Sequence, residues 1–110
     1  MTPPRTDILR GTLDMLILKT LSQGPQHGLG LSRHIDQITD GAFQIQPGSL
    51  FPALHRMEQK GWIKGSWGKS ENRRRAKYYQ LTPAGHRQLG QEQENWDQLV
   101  LTIGKVMEAS

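Results

Sequence analysis

Two strand-like segments on either side of a basic turn constrain the fold of this chain more than any other feature. The segments are WIKGSWG at residues 62–68 and AKYYQLT at residues 76–82, and both are rich in aromatic and β-branched or other apolar residues. Residues 68–79 hold five basic side chains against one acidic side chain, Glu71. This pattern predicts a β-hairpin with a long, basic tip.

Three short helices are predicted before the hairpin, because apolar residues there recur at helical spacing. The first covers about residues 7–22 and ends at the QGP sequence, since glycine and proline stop helices. The second begins near Gly28 and ends at the DG pair of residues 40–41. Just after it, Phe43 and Ile45 alternate with glutamines and predict a very short strand.

The third predicted helix covers residues 47–61 and carries both an apolar and a polar face. Ser49 is its predicted N-cap, because a serine hydroxyl accepts hydrogen bonds from the first backbone N–H groups. Pro52 lies in the first turn, where a missing N–H costs nothing. The residues predicted to be buried are Leu50, Leu54 and Met57.

A long last helix is predicted from Thr82, the expected N-cap, to about Met107. One set of positions alternates in steps of three and four, which is typical of a helix–helix seam. These positions are Leu89, Glu92, Trp96, Leu99, Ile103 and Val106. The seam can pack only on the first helix or on a second copy of the chain. We therefore expect a homodimer that forms through the last helix. The alternative is that the seam packs on the core of its own chain.

Charge is unevenly distributed along the 110 residues, whose formal net charge is +4. Residues 1–87 carry 13 Lys/Arg and 6 Asp/Glu, a balance of +7, whereas residues 88–110 carry 1 and 4, a balance of −3. A basic body with an acidic tail indicates different partners for the two parts, and the body is a candidate for binding nucleic acid or an anionic membrane. A basic protein without a polyanion partner remains the alternative at this point.

Several classes of site are disfavoured by the composition. The chain has no cysteine, and its four histidines are scattered without metal-ligand spacing, so neither a metal nor another cofactor is expected. A Gly-Lys-Ser sequence at residues 68–70 lacks the earlier glycine of a phosphate-binding loop, because Ile63 stands there. We expect no enzyme.

No apolar run could span a bilayer and no signal peptide is recognisable, so a cytoplasmic protein is expected.

Three short helices, a hairpin and a long helix together predict a mainly α fold with a small β-hairpin, namely a winged helix-turn-helix with a C-terminal dimerisation helix. Residues 1–82 would form the DNA-binding domain and residues 83–110 the dimerisation helix, joined in one compact unit. In this motif the third helix enters the major groove and the hairpin, or wing, contacts the neighbouring backbone. The basic tip would neutralise phosphates, while base edges are read by the helix.

The chain resembles the PadR-like family of transcriptional regulators over about residues 8–107. The matching segments are GTLDMLILKTL at 11–21, GPQHGLGLSRHI at 24–35, PGSLFPALHRMEQKGWIKGSWG at 47–68, RRRAKYYQLTPAG at 73–85 and ENWDQL at 94–99. The resemblance implies a dimeric repressor of a nearby promoter that releases double-stranded DNA when an effector binds. The family usually has tyrosine where this chain has Phe51 and often an aromatic residue at Leu29.

The candidate DNA-binding residues lie on the third helix and the wing. They are Ser49, Phe51, Pro52, His55, Arg56, Lys64, Arg73, Arg74, Arg75 and Lys77. For each of them a capping, packing or solvated role is the alternative to a DNA contact. The other aromatic residues of the hairpin, Trp67 among them, are interpreted as packing residues.

The candidate dimer interface is formed by Leu89, Trp96, Leu99, Ile103 and Val106. The resemblance permits a small apolar or aromatic effector to bind between the subunits, at a pocket that includes Trp96 and Met15. Packing within the dimer interface is the favoured role for Trp96, because aromatic residues anchor such cores. Two symmetric reading helices imply an inverted-repeat operator with half-sites about one helical turn apart.

Two rival functions remain. A winged helix that binds only protein would not need three consecutive arginines at its tip. An RNA-binding protein would be expected to show the stacking aromatics of the common RNA-binding modules, which this chain lacks.

Overall fold

Four helices and three strands make up the chain. The computed structural model describes the backbone of residues 6–70 and 72–109 and the side chains from Gly11 onward within those ranges. The helices are α1 (Thr6–Leu21), α2 (Gly28–Ile38), α3 (Pro47–Gln59) and α4 (Pro83–Glu108). The strands are β1 (Gln26–His27), β2 (Ile63–Lys69) and β3 (Arg75–Leu81). The predicted fold class, mainly helical with a small hairpin, is confirmed.

The sheet has a third strand that the sequence did not predict. β2 and β3 pair antiparallel from Ile63 opposite Leu81 to Lys69 opposite Arg75, and β1 pairs antiparallel with the other edge of β3. The strand predicted around Phe43 and Ile45 was wrong, because residues 43–46 are irregular. Phe43 and Ile45 are apolar residues between glutamines because both side chains pack on the core from a loop.

The core lies around α1, which packs against α2, α3, α4 and β3. Ile17 and Leu18 of α1 are both fully buried, which explains why its apolar residues extend beyond one face. The three residues predicted to be buried on α3 are in this core. The buried apolar side chains are Leu13, Ile17, Leu18, Leu21, Leu31, Ile35, Ile45, Leu50, Ala53, Leu54, Met57, Ile63, Tyr79 and Leu89.

Glycine sets how α3 leads into the wing. Gly61 has φ +77°, and its N–H donates to the Glu58 carbonyl while the Trp62 N–H donates to the Met57 carbonyl. This pair of bonds is the Schellman arrangement that ends a helix with a left-handed residue. The chain therefore leaves α3 sharply and enters β2, which fixes the base of the wing beside α3.

The other end of the hairpin is joined to α4 by Thr82, as predicted. Its hydroxyl accepts a hydrogen bond from the Gly85 N–H at 3.0 Å and lies 2.6 Å from the Gly61 carbonyl oxygen. Thr82 therefore caps α4 and bonds to the turn that follows α3. Pro83 occupies the first turn, which also agrees with the sequence-based prediction.

Gly85 allows the first turn of α4 to approach the hairpin closely. A Cβ at this position would lie 2.0 Å from the Trp62 carbonyl oxygen, whereas a Cβ at Gly90, further along the same helix, would contact nothing within 4 Å. We expect Gly85→Ala to lower the free energy of unfolding by roughly 1–3 kcal/mol, the usual cost of overpacking.

The matched control for this substitution is Gly90→Ala, which should raise the free energy of unfolding by about 0.5–1 kcal/mol, because glycine is a poor helix former. Urea unfolding followed by circular dichroism measures both variants. A Gly85→Ala variant as stable as the parent would contradict the close approach of α4 to Trp62.

Helix α4 protrudes from the rest of the fold. Its 26 residues span about 39 Å at 1.5 Å per residue. The radius of gyration is 15.4 Å, against about 13 Å for a compact chain of this length. Among residues 90–109 none is buried. Leu89, which was predicted to be part of the dimer interface, is 9% exposed and belongs to the core of its own chain.

Candidate nucleic-acid interface

The N-terminal turn of α3 presents a free hydroxyl and exposed backbone. Gln46, and not Ser49, is the N-cap, and it makes no side-chain capping bond. The predicted N-cap was wrong because Pro47, with its fixed φ, already starts the helix two residues earlier. Ser49 is exposed, and its hydroxyl has no partner among the described residues. It therefore remains available to an external acceptor such as a phosphate.

The outer face of α3 carries Phe51, Pro52 and His55, all of them exposed. Phe51 is 42% exposed, and its ring packs against Gly28 at the start of α2. A Cβ at Gly28 would lie 2.7 Å from the ring, so glycine is what permits this contact. The ring thus fixes α3 against α2 with one side in the contact and the other open to solvent.

The wing ends in a compact turn rather than the long tip that the sequence predicted. The strands continue to Lys69 and Arg75, and the connection is closed by hydrogen bonds from Ser70 N–H to the Arg74 carbonyl and from Arg73 N–H to the Ser70 carbonyl. Arg73, Arg74 and Arg75 are all exposed. Glu71, the acidic residue of the turn, lies outside the described residues. Lys64 is exposed on β2.

Trp67 was interpreted as a packing residue, but it is 60% exposed on the wing. The Arg75 guanidinium lies over its ring, 4.4 Å from the ring centroid. Such contacts contribute about 0.5–1 kcal/mol at exposed sites. Trp67 therefore restrains Arg75 and presents an open aromatic face beside it, a feature that strand alternation alone did not reveal.

Two of the candidate DNA-binding side chains are paired with carboxylates. The Lys77 ammonium donates to Glu58 of α3 at 2.9 Å, which joins the wing to α3. The Arg56 guanidinium donates to Asp14 of α1. Neither pair was predicted, because the partners lie 19 and 42 residues apart.

Apolar side chains on the protruding part of α4 are exposed. Trp96 is 44%, Leu99 49% and Ile103 50% exposed, and Val106 is exposed as well. At 100° per residue, Val100 and Met107 fall on the same side of the helix as these four, whereas Leu101 lies on the opposite side. The exposed stripe is therefore wider than the predicted seam, since Val100 and Met107 belong to it.

Comparison with known proteins identifies the family. The model of the transcriptional regulator PadR-like family matches residues 17–91, which include α3, the wing and the start of α4. The chain belongs to this family. It is therefore a DNA-binding transcriptional regulator with a winged helix, and not an enzyme.

Relatives of this PadR-like protein match it almost from end to end. A transcriptional regulator from Clostridium thermocellum has 33% identity and a TM-score of 0.83 over 90% of this chain and 96% of its own. A PadR-like transcriptional regulator from Bacillus cereus has 27% identity and a TM-score of 0.81 over 94% of this chain and 99% of its own. An uncharacterized protein X of Lysinibacillus sphaericus is 31% identical over 94% of this chain and 95% of its own.

A cleft of about 800 Å³ lies beside α3 in this PadR-like protein, and α1 and the loop before α3 form its other walls. Asp14 and Arg56 line it, together with Phe43, Ile45 and Ser49. Trp96 and Met15, the predicted effector residues, do not line it. Trp96 is exposed on α4, and Met15 is half-buried on α1.

Among the side chains of residues 11–70 and 72–109, no group of three or more His, Asp or Glu could hold a metal ion. None of the described helices is both long and apolar enough to cross a membrane.

Two groups on β3, Lys77 and Tyr79, make the fold sensitive to alkaline pH. The hydrogen bond to Glu58 raises the pKa of Lys77 above 10.5, and burial raises the pKa of Tyr79 above 10.0. Both groups hold their protons more tightly in the folded state, so the unfolded chain loses protons first as the pH rises. Their stabilising contribution is complete below about pH 10 and is lost as the pH rises through the folded-state pKa values.

We therefore expect the free energy of unfolding to fall between pH 10 and pH 11, and to fall less steeply in Tyr79→Phe, which keeps the ring and lacks the titrating hydroxyl. Urea unfolding at pH 8, 10 and 11 measures this dependence. An equally steep decline in both proteins would show that Tyr79 does not contribute.

Proposed function

We propose that this protein is a homodimeric repressor that binds an inverted-repeat operator in a nearby promoter. Each α3 would read base edges in the major groove, each wing would hold the adjacent backbone, and α4 would join the subunits. The observation that carries the proposal is the exposed apolar stripe on α4, because a dimer formed through it would have the two-fold symmetry that an inverted repeat requires.

The case for the dimer rests on the cost of leaving this stripe in water. Burying an isoleucine or leucine side chain contributes about 1.5–3 kcal/mol, and Leu99, Ile103 and Trp96 are about half exposed in one chain. A patch of this kind on a protruding helix is typical of an interface. The proposed interface residues are Trp96, Leu99, Val100, Ile103, Val106 and Met107. Leu89 would support the helix from within the core.

Phosphate contacts are proposed for the three wing arginines and for the N-terminal turn of α3. The arginines are exposed and carry no ion pair among the residues described. Ser49 adds a free hydroxyl at a helix N-terminus, where phosphates bind well. Lys64 and Lys77 extend the basic surface, although Lys77 must do so while paired with Glu58.

Base-edge contacts are proposed for the outer face of α3, through Phe51, Pro52, His55 and Arg56. Phe51 can contact a thymine methyl with its open side. Arg56 is suited to guanine, because its planar fork matches the two acceptors on the major-groove edge. These residues lie within two helical turns, which suits a short half-site.

A module that binds only protein is the second candidate function. It is disfavoured by the tight turn that presents three adjacent arginines to solvent, since such a cluster suits a polyanion. The apolar stripe on α4 would serve that function equally well. The two candidates therefore differ at the wing and at α3.

We further propose that a flat apolar or aromatic effector binds between the subunits beside Trp96 and weakens operator binding. Trp96 supplies a 44% exposed aromatic surface within the proposed interface. The dye 1-anilinonaphthalene-8-sulfonate is a suitable probe. Its fluorescence should rise in the parent and not in Trp96→Ala, and unchanged binding in that variant would contradict the site.

The experiment that tests the proposed function is selection of bound duplexes from a random-sequence DNA library. The expected result is an inverted repeat whose half-sites are centred about one helical turn apart, or 10–10.5 base pairs. Enrichment of a single half-site would contradict the dimer arrangement. No enrichment at all would favour the protein-binding alternative.

A further inference from the structure

Arg56 leaves the outer face of α3 sideways and reaches a carboxylate on α1. Its guanidinium donates through Nη2 to Oδ1 of Asp14, and the side chains are 39% and 14% exposed respectively. Arg56 follows His55 directly and lies one turn after Pro52, so it borders the face that would enter the major groove. The pair therefore connects that face to the central helix of the core.

Asp14 is held firmly in this position. Its neighbour Leu13 is 6% exposed, and Ile17, one turn further on, is fully buried. A carboxylate that is largely removed from water needs a partner, and Arg56 supplies it. The carboxylate is thus a fixed point, whereas an arginine on a helix surface is otherwise free to adopt many rotamers.

The pair leaves most of the guanidinium available. Arginine has five N–H donors in a planar fork, and within the described ranges the Arg56 side chain makes no hydrogen bond other than that to Asp14. A carboxylate on one edge restricts the plane of the fork, while the remaining donors have no partner among the described residues and the side chain is 39% exposed. Guanine recognition requires two of those donors in one plane, directed at O6 and N7.

We propose that Asp14 is a positioning residue for base recognition: it orients Arg56 so that the free edge of the guanidinium reads a guanine in the operator. The inference rests on the proposed function, because it needs an operator that α3 reads. Asp14 would then be a determinant of sequence specificity, although Asp14 lies on α1 and touches no DNA.

The electrostatic consequence of removing Asp14 separates this role from a general effect of charge. Asp14→Ala makes each chain more positive by one unit, so by charge alone it should bind every DNA more tightly. If Asp14 positions Arg56, operator binding should weaken while binding to random DNA strengthens or stays the same. We expect the ratio of operator to random affinity to fall about tenfold, within the range that one bidentate base contact contributes.

A matched control is Glu58→Ala, which removes the carboxylate of the other ion pair on α3 and changes the net charge equally. It should raise affinity for operator and random DNA alike and leave the ratio unchanged. Asp14→Asn is the second Asp14 variant, because it keeps the shape and weakens the hydrogen bond. It should give an intermediate ratio, and it serves in place of Asp14→Ala if that variant does not fold.

The deciding experiment is a double-mutant cycle with Arg56→Ala, using fluorescence anisotropy on the selected operator and on random duplex. If Asp14 acts through Arg56, Asp14→Ala should not change the ratio further once Arg56 is alanine. A further fall in that background would assign Asp14 to fold stability and overturn the inference, as would an unchanged ratio in both single Asp14 variants. If the parent itself shows no preference for any operator, the proposed function fails first.

Discussion

Replacing Leu99 and Ile103 with glutamate is expected to convert the protein to monomers and to weaken operator binding by about 10²–10⁴-fold, because two linked readers lose their avidity. Both side chains are about half exposed in a single chain and lie in the middle of the α4 stripe. In a dimer they would face the same residues of the partner helix. Glutamates there would place like charges together in an apolar interface, which is costly.

Sedimentation equilibrium measures this change directly, since the chain mass is 12.5 kDa and a dimer has twice that mass. The matched control is Gln98→Glu with Leu101→Glu, two exposed positions on the opposite side of the same helix. The control should remain dimeric and bind the operator. A dimer that persists in the Leu99/Ile103 variant would show that the interface does not lie on α4. Helix α1 would then be the next candidate.

Replacing Arg73, Arg74 and Arg75 with alanine is the second large effect that we expect. The three side chains are exposed at the turn of the wing, and two wings would bring six of them to one operator. Each phosphate contact contributes about 0.9 to the slope of log affinity against log salt, so the slope should fall by up to about 5. Affinity at low salt should fall at least about a hundredfold for operator and random DNA alike.

The control for this variant removes the same charge elsewhere, through alanine at Lys19, Arg87 and Lys105. These exposed residues lie on α1 and α4 and not on α3 or the wing. The control should change the slope far less. A wing variant that loses only operator binding would mean that the wing reads sequence, which would contradict the proposed division between α3 and the wing.

Local sequence patterns predicted those parts of the fold that depend on neighbouring residues. The hairpin, the Thr82 cap and the buried residues of α3 were predicted from alternation, capping chemistry and helical spacing, and the structure confirms them. The outcome for Ser49 differed because two start signals, Pro47 and Ser49, lie two residues apart. The helix starts at Pro47, whose fixed φ suits the first helical position, and Gln46 is therefore the N-cap.

Long-range contacts could not be predicted in this way. β1 exists because residues 26 and 27 lie beside the free edge of β3, about fifty residues further along the chain. The Arg56–Asp14 pair likewise depends on how α1 and α3 pack. Trp67 lies on a strand whose alternation does not reveal which side is open, so its exposure and its contact with Arg75 emerged only from the structure.

The family resemblance of this sequence correctly predicted a winged-helix regulator, and the match over residues 17–91 confirms it. The family match does not assign the residues that determine which operator this member binds. Phe51, His55 and Arg56 lie on the outer part of α3, and their DNA contacts remain predictions. The contact of Phe51 with Gly28 explains how phenylalanine is accommodated there without a hydroxyl partner.

The measurement that tests the central claim most directly is a salt titration of binding to the DNA upstream of the protein's own gene, with random duplex of equal length beside it. A sequence-specific regulator should bind one upstream site at least about a thousandfold more tightly than random DNA, with affinity for both falling steeply as salt rises. Equal and weak binding to the two duplexes at every salt concentration would contradict it.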